Sequence, residues 1–336
     1  MSTKNLRPTY ARIDLDRFAS NINAVREQSN ADIIAVVKAD AYGHGMVRLA
    51  KHAYDTCNVK SFAVATIAEA MALREVLPSV RIIILGYVDR DFYQYVTDLN
   101  LHISIFDDEI ARSYHEYLAN KDLHAPIVLK IDTGMGRLGF PPNIDLIKRY
   151  PRFKIDHVMS HLATVDPEYT EFQESLFNFK GFETSLYASA GILMRNNTHP
   201  FVRPGIILYS SVMSIYSKIV HVQRLSKGQS VSYGRLFQAD KECIVGVVPI
   251  GYADGYDRRL TNNGRMYVNG EYCPVIGTVC MDMTMIDLSA IGEGAYGMEV
   301  EIMGEHVTTA ELAERCGTID YEILCGISGR IPRVYE

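Results

Sequence analysis

Eight short apolar runs alternate with helical patterns between residues 33 and 209, and few folds accept that rhythm. The strand-like runs are Ile33–Lys38, Phe62–Thr66, Arg81–Gly86, Leu101–Phe106, Ile127–Asp132, Ile155–His161, Ser185–Ser189 and Phe201–Tyr209. An amphipathic helix over Asp16–Gln28 precedes them. Helical spacing recurs at Met46–Thr56, Ile67–Val76, Asp91–Asn100, Asp108–Asn120, Ile144–Tyr150 and Pro167–Phe182; the gap between the last two runs is too short to assign. The run Ile33-Ile-Ala-Val-Val37 is apolar throughout, as a strand covered on both faces must be. Eight such units in roughly 180 residues predict an α/β fold with a (β/α)8 TIM-type barrel rather than an open doubly wound sheet.

After about Ser217 the texture changes. Val231–Gly234, Cys243–Ile250, Arg265–Asn269, Cys273–Leu288 and Met298–Met303 are short strand-like runs, and a helix is expected over Thr308–Cys316. Asn263-Gly264 and Asn269-Gly270 carry the composition of tight hairpins. The expected organisation is a barrel over 1–216 and a mainly β domain over 217–336, joined near Ser214–Lys218. The net charge of −6, with signs interspersed, argues against a nucleic-acid or anionic-membrane surface. No apolar run approaches the ~20 residues of a membrane span. Met1–Pro8 has no apolar core of a secretory leader, so a cytoplasmic location is expected. The six cysteines show neither CxxC nor metal-type spacing and are expected to be reduced.

Polar residues collect where such a barrel places its chemistry, at the carboxyl ends of the strands. Lys38 ends the first predicted strand. A buried amine there has a lowered pKa and becomes a nucleophile, suited to a Schiff base with an aldehyde cofactor. The plainer reading is a strand-end lysine reaching solvent. Arg137 follows the fifth strand, His161 ends the sixth and Ser189 the seventh, while Arg203, Gly205 and Ile206 lie in the eighth. Phosphate sites in these barrels are commonly built after strands seven and eight.

Gly134-Met-Gly-Arg-Leu-Gly139 has the spacing of a dinucleotide fingerprint, but Pro141-Pro142 follow where a helix must open. A loop presenting Arg137 to a carboxylate suits the residue types better. Ser160, His161 and Asp166 contain the types of a hydrolase triad, but no GxSxG elbow exists. Asp40 reads equally as a helix cap. In the second domain, Gly251-Tyr-Ala-Asp-Gly255 and Cys280-Met-Asp282 read, taken alone, as turns with methionine-rich packing.

Taken together, Val37-Lys-Ala-Asp-Ala-Tyr-Gly-His-Gly45, Asp132–Gly139, Arg203-Pro-Gly-Ile206, Gly251–Gly255 and Cys280–Asp282 resemble, in order and spacing, the motifs of the alanine racemases. The resemblance runs from Tyr10 to Arg333. It implies a racemase that uses pyridoxal 5'-phosphate and supplies D-alanine for peptidoglycan. Lys38 would carry the cofactor and act as one base. Tyr252 would be the base on the opposite face, supplied by the partner subunit of a homodimer. A free tyrosine titrates near pKa ~10, so positive neighbours or hydrogen bonds must lower it. Arg203 would bond the pyridine nitrogen, and Tyr42, Ser189, Gly205 and Ile206 the phosphate. Arg137 and Met281 would bind the substrate carboxylate, Met281 again from the partner. His161 would brace the cofactor and Arg203, and Lys130 matches a lysine that some members carry as a carbamate.

Two positions depart from the family pattern. Ala188 stands where many members have asparagine, and Gly329 where some have a tyrosine that touches the phosphate and crowds the pocket. Loss of that ring opens volume and raises a second reading, a serine or broader amino-acid racemase. A non-catalytic pyridoxal-phosphate carrier is a third, although such carriers generally lack the β domain with Tyr252 and Met281. A related barrel-plus-β decarboxylase fits the last two motifs less well.

Overall fold

The computed structural model describes residues 7–143 and 145–336. The chain divides into two compact units. One comprises Phe18–Ala41 and Gly45–Leu208; the other comprises Met1–Arg17, Tyr42–His44 and Tyr209–Glu336.

The first unit is the expected barrel. Its eight parallel strands are Asp32–Val36, Ser61–Val64, Arg81–Ile84, His102–Ile105, Ala125–Lys130, Phe153–Met159, Thr184–Ser185 and Phe201–Val202. Each pairs with the next as far as the seventh, and the first also pairs with the eighth. The seventh and eighth meet through a single bridge, Ala188 to Arg203, with the Arg203 amide donating to the Tyr187 carbonyl at 2.9 Å. Ile82, Ile83 and Ile84 are all fully buried, as a strand with helices outside and a packed barrel inside requires. Each such side chain contributes about 1.5–3 kcal/mol through burial.

Helix starts follow local chemistry. Thr66 and Glu69 form a capping box at Ile67–Val76, Asp107 caps Asp108–Asn120, and Asp166 precedes Pro167 at the start of Pro167–Leu176. The helix expected over Ile144–Tyr150 is a single turn, Leu146–Arg149; Ile144 lies outside the described residues, as do the opening residues 1–6.

Three expectations at the barrel rim are corrected. The predicted eighth strand over 201–209 stops at Val202, because Pro204 has no N–H to continue the ladder, and Ile206–Tyr209 becomes a 3-10 turn. Ser189 opens the short helix Ser189–Met194 rather than ending a strand. The first strand ends at Val36, and Lys38 opens one turn of left-handed helix, Lys38–Gly43. Ala39, Asp40, Ala41 and Tyr42 all have φ of 53°.

In the second unit, six strands form one sheet in the order Glu271–Pro274, Arg265–Val268, Glu299–Met303, Met213–Lys218, Tyr10–Ile13 and Arg333–Tyr335. A second sheet joins His221–Leu225, Cys243–Val248 and Thr284–Asp287. Asn269-Gly270 is a two-residue hairpin turn, with φ of 48° and 90°. Asn263-Gly264 is not: the chain arrives there from the 3-10 turn Arg258–Leu260, and the Gly264 amide bonds back to the Leu260 carbonyl. A helix over Asp320–Gly326 was not expected. Five of the six cysteines are buried or half-buried and carry free thiols, and Cys325 is exposed. Among the described residues, no helix is long and apolar enough to cross a membrane.

A left-handed residue costs an alanine about 1–2 kcal/mol, and glycine adopts that conformation freely. Exposed Ala39 should therefore tolerate glycine, with urea unfolding placing Ala39→Gly within about 0.5 kcal/mol of the parent or above it. The same change at exposed Ala24, inside the right-handed helix Leu15–Ser29, should cost about 1 kcal/mol. Equal losses at both positions would contradict a left-handed turn.

Candidate active site

The left-handed turn that carries Lys38 is held at several points. The Ala39 amide donates to Glu69 Oε1 at 2.7 Å, and the Ala65 and Thr66 amides to Glu69 Oε2 at 2.8 and 3.0 Å. Ala41 donates to the Val37 carbonyl at 2.8 Å. The Asp40 carboxylate accepts the Met46 amide at 2.8 Å, so its capping role at the helix Met46–Cys57 is real. Lys38 thus leaves a well-anchored backbone and is half-buried.

Around it the barrel rim gathers cations. His161 is pushed down to about 3 by burial and by the charges of Arg203, Lys130, Arg137 and Lys38. Four predicted site residues therefore act on the imidazole of a fifth, which is neutral at neutral pH. Burial, with Arg203 and Arg137, also pushes Lys130 well below its usual range, and Asp132 alone opposes this.

Arg203 is buried, which lowers it to about 10. Its Nη1 donates to the Ser185 carbonyl at 2.6 Å and to Ser185 Oγ; its Nη2 donates to the Ser160 carbonyl and, at 3.2 Å, to the Leu186 carbonyl. Among the described residues no carboxylate pairs with it. The guanidinium stays charged, fixed by neutral oxygens.

Arg137 is exposed on a loop whose base is closed by Phe140 pairing with Ile131. Asp132 shapes the loop by accepting the Gly134 amide at 2.8 Å and the Gly136 amide at 3.0 Å. Fully buried Gln173 ties the neighbouring segments, donating to Thr133 Oγ1 and the His161 carbonyl and accepting from the Ala163 amide. Beyond the seventh and eighth strands, buried Ser189 Oγ accepts the Gly205 and Ile207 amides at 3.0 and 3.3 Å. Ile206 lies between those two residues, so the Ser189 hydroxyl and the backbone of 205–207 come together here.

The remaining predicted residues belong to the second unit. Tyr42 is buried between Tyr209 and Tyr321, at ring separations of 4.9 and 5.9 Å, and burial pushes its phenol up. Gly43 approaches the backbone there so closely that a Cβ would lie 2.4 Å from the Leu324 carbonyl oxygen. Its own carbonyl accepts Arg333 Nε and Nη2 at 3.0 and 2.9 Å. Tyr252 is 44 % exposed and Met281 52 %. Their loops pair through the backbone, Tyr252 donating to the Cys280 carbonyl at 3.0 Å and Ala253 to the Met281 carbonyl at 3.1 Å. A Cβ on Gly251 would sit 2.2 Å from the Cys280 oxygen, so only glycine permits this pairing. Buried Asp254 holds the loop from behind, accepting Arg7 Nη1 at 2.7 Å and the Gly251 amide at 3.2 Å.

Motif reading missed Glu69, Gln173, Ser185 and His157, and held Asp254 only as part of Gly251–Gly255. The capping-box spacing Thr66-x-x-Glu69 was the one available signal among them.

Residues 13–212 match the family model described as alanine racemase, N-terminal domain, and residues 212–335 that described as alanine racemase, C-terminal domain. Alanine racemase 1 of Clostridium acetobutylicum is 36% identical, over 99% of this chain and 96% of that one. Among solved structures, alanine racemase of Clostridium difficile 630 superposes with a TM-score of 0.92 at 31% identity, over 99% of this chain and 97% of that one. Alanine racemase from Bartonella henselae, solved with covalently bound pyridoxal phosphate, superposes with a TM-score of 0.90 at 25% identity, over 98% of this chain and 99% of that one.

The buried imidazoles give a pH prediction. The folded protein binds no proton at His161 or His157 until about pH 3, whereas the unfolded chain binds them from its ordinary pKa near 6.5. Stability is therefore full above that value and falls on acidification, by up to about 1.4 kcal/mol per pH unit for each histidine. Urea titrations at stepped pH should show a shallower acid slope in His161→Gln than in the parent. Parallel slopes would contradict a neutral, half-buried His161.

Proposed function

We infer that this chain, which belongs to the alanine racemase family, interconverts L- and D-alanine with pyridoxal 5'-phosphate as its cofactor. The observation that carries the reading is the cationic rim: Lys38, Lys130, Arg137 and Arg203 act together on one neutral histidine, beside a hydroxyl–amide cluster at Ser189 and Gly205. Such a pocket suits a ligand set with a phosphate and a carboxylate.

The residues fit the cofactor. Lys38 holds it through its amine. Ser189, Tyr42 and the amides of Gly205 and Ile206 take the phosphate. Arg203 faces the pyridine nitrogen; a guanidinium cannot accept a proton and disfavours one on its partner. Neutral His161 stands among these cations without adding charge. When bound, the cofactor acidifies the α-proton of the amino acid by conjugating its α-carbon to the ring.

Racemisation removes that proton from one face and returns one to the other. The Lys38 amine serves one face and the Tyr252 phenol the other. Arg137 and Met281 orient the substrate carboxylate, so both faces of the α-carbon stay open to a base. We assign Tyr252 and Met281 to the partner subunit of a homodimer; their exposure and the backbone pairing of their loops support a preformed unit ready to be presented. At Lys130, a carbamate formed from the neutral amine and carbon dioxide with loss of a proton would place an anion where Arg137 and Arg203 are felt. The cell role is D-alanine supply for peptidoglycan, in the cytoplasm.

One observation favours a second reading. A Cβ on Gly329 would meet nothing within 4 Å, so this position does not crowd its surroundings, and serine or a broader substrate range fits. The carrier reading is disfavoured, because the family match spans both domains.

The test is racemisation of L-alanine and L-serine, side by side, by cofactor-saturated protein. Alanine turnover should fall by at least about 100-fold in Lys38→Ala and in Tyr252→Phe. Mixing the two variants should restore activity by forming one intact site per heterodimer. Alanine turnover no faster than the Lys38→Ala control would overturn the reading, and heterodimers without recovery would overturn the shared site. Comparable alanine and serine rates would favour the second reading.

A further inference from the structure

Behind Arg203 lies a hydrogen-bond chain that the reaction as described does not use. His157 and Ser185 are both fully buried, and His157 Nε2 lies 2.6 Å from Ser185 Oγ. Arg203 Nη1 donates to that same oxygen. The directions follow from counting hydrogens. A guanidinium N–H only donates, so Ser185 Oγ is its acceptor. Oγ has two lone pairs, but its own hydrogen needs an acceptor, and among the described residues His157 Nε2 is the one in reach, so the hydroxyl is satisfied with Nε2 as the unprotonated nitrogen. The imidazole hydrogen sits on Nδ1, which has no partner among the described residues. An imidazolium would aim a second donor at Oγ and add a positive charge beside Arg203. Burial, with the charges of Arg203 and Arg81, pushes His157 down to about 3, in keeping with this arrangement.

The backbone is altered to make the chain possible. Ile127 pairs with Ile155, but Val128 pairs with His157, so Asp156 is an extra residue in the sixth strand. In an unbroken strand Asp156 and His157 would face opposite sides. Here both reach inward partners: Asp156 contacts Arg81 and His102, while His157 contacts Ser185 and lies edge-on to Phe201 at 5.6 Å. A bulge that re-aims a side chain is common beside active sites. A phenylalanine at 157 would fill the same space without burying an unpartnered N–H.

We propose that Ser185 and His157 are positioning residues for Arg203: His157 fixes the rotation of the Ser185 hydroxyl, so that its lone pairs alone face the guanidinium and orient it toward the cofactor ring. The inference rests on the assignment of Arg203 to the pyridine nitrogen. It predicts that Ser185 acts on cofactor binding through Arg203 and not through the fold at large.

The experiment is a double-mutant cycle on apoprotein titrated with pyridoxal phosphate, followed by the visible absorption band and by the thermal midpoint of the apo form. Ser185→Ala should weaken binding about tenfold and shift the band, and Ser185→Thr should stay within about threefold of the parent. In an Arg203→Lys background, Ser185→Ala should add no further weakening. If Ser185→Ala does not fold, His157→Phe takes its place in the same cycle. The same weakening in both backgrounds, or parent-like binding with an unshifted band, would overturn the inference while leaving the racemase reading intact. A parent protein that binds no pyridoxal phosphate would overturn both.

Discussion

A guanidinium sealed in the wall of a barrel, answered only by neutral oxygens, is the constraint on which the rest of this site depends. Arg203 is 4 % exposed and donates to three carbonyls and one hydroxyl. Taking an unpaired charge out of water costs several kcal/mol, by the order of magnitude usual for buried ions (about 5). The barrel accepts that cost at a strand end where backbone carbonyls converge. Its consequences spread through the rim. Burial first, and this charge with it, depresses Lys130, His161 and His157 together and leaves a pocket of cations and neutral imidazoles. Such a pocket is electrostatically incomplete until anions enter it, and a phosphate and a carboxylate are the groups its hydrogen-bond donors fit.

The second unit contributes by close backbone approach rather than charge. Gly251 lets the Tyr252 loop lie against the Met281 loop, and Asp254 ties the first of these to Arg7. The two exposed side chains are therefore held by their paired backbones.

Much of this was legible in the sequence where the signal is local. Ile67–Val76 and Asp108–Asn120 have the helical limits that their periodicity and caps predict. The eight-fold alternation carried the barrel, because continuous apolar runs and short spacing admit little else. The left-handed turn after Val37 was not legible: Ala39, Asp40, Ala41 and Tyr42 carry no glycine to mark positive φ, and the conformation is imposed by Glu69, Asp40 and the packing around Gly43. The strand expected through Tyr209 overlooked Pro204. Ser185 and His157 were invisible because a one-residue register shift at Asp156 brings them together, and register is set by the partner strand rather than by local composition. Asn263-Gly264 shows the converse, a strong local signal overruled by the 3-10 turn that feeds it.

The central claim, that the rim is a cationic pocket completed by anions, has a direct measurement. Apoprotein titrated in parallel with pyridoxal phosphate and with unphosphorylated pyridoxal should bind the phosphorylated form at least about 100-fold more tightly, the worth of two charge-assisted hydrogen bonds. The gap should narrow as salt is raised. Equal affinities, or a gap indifferent to salt, would contradict the account.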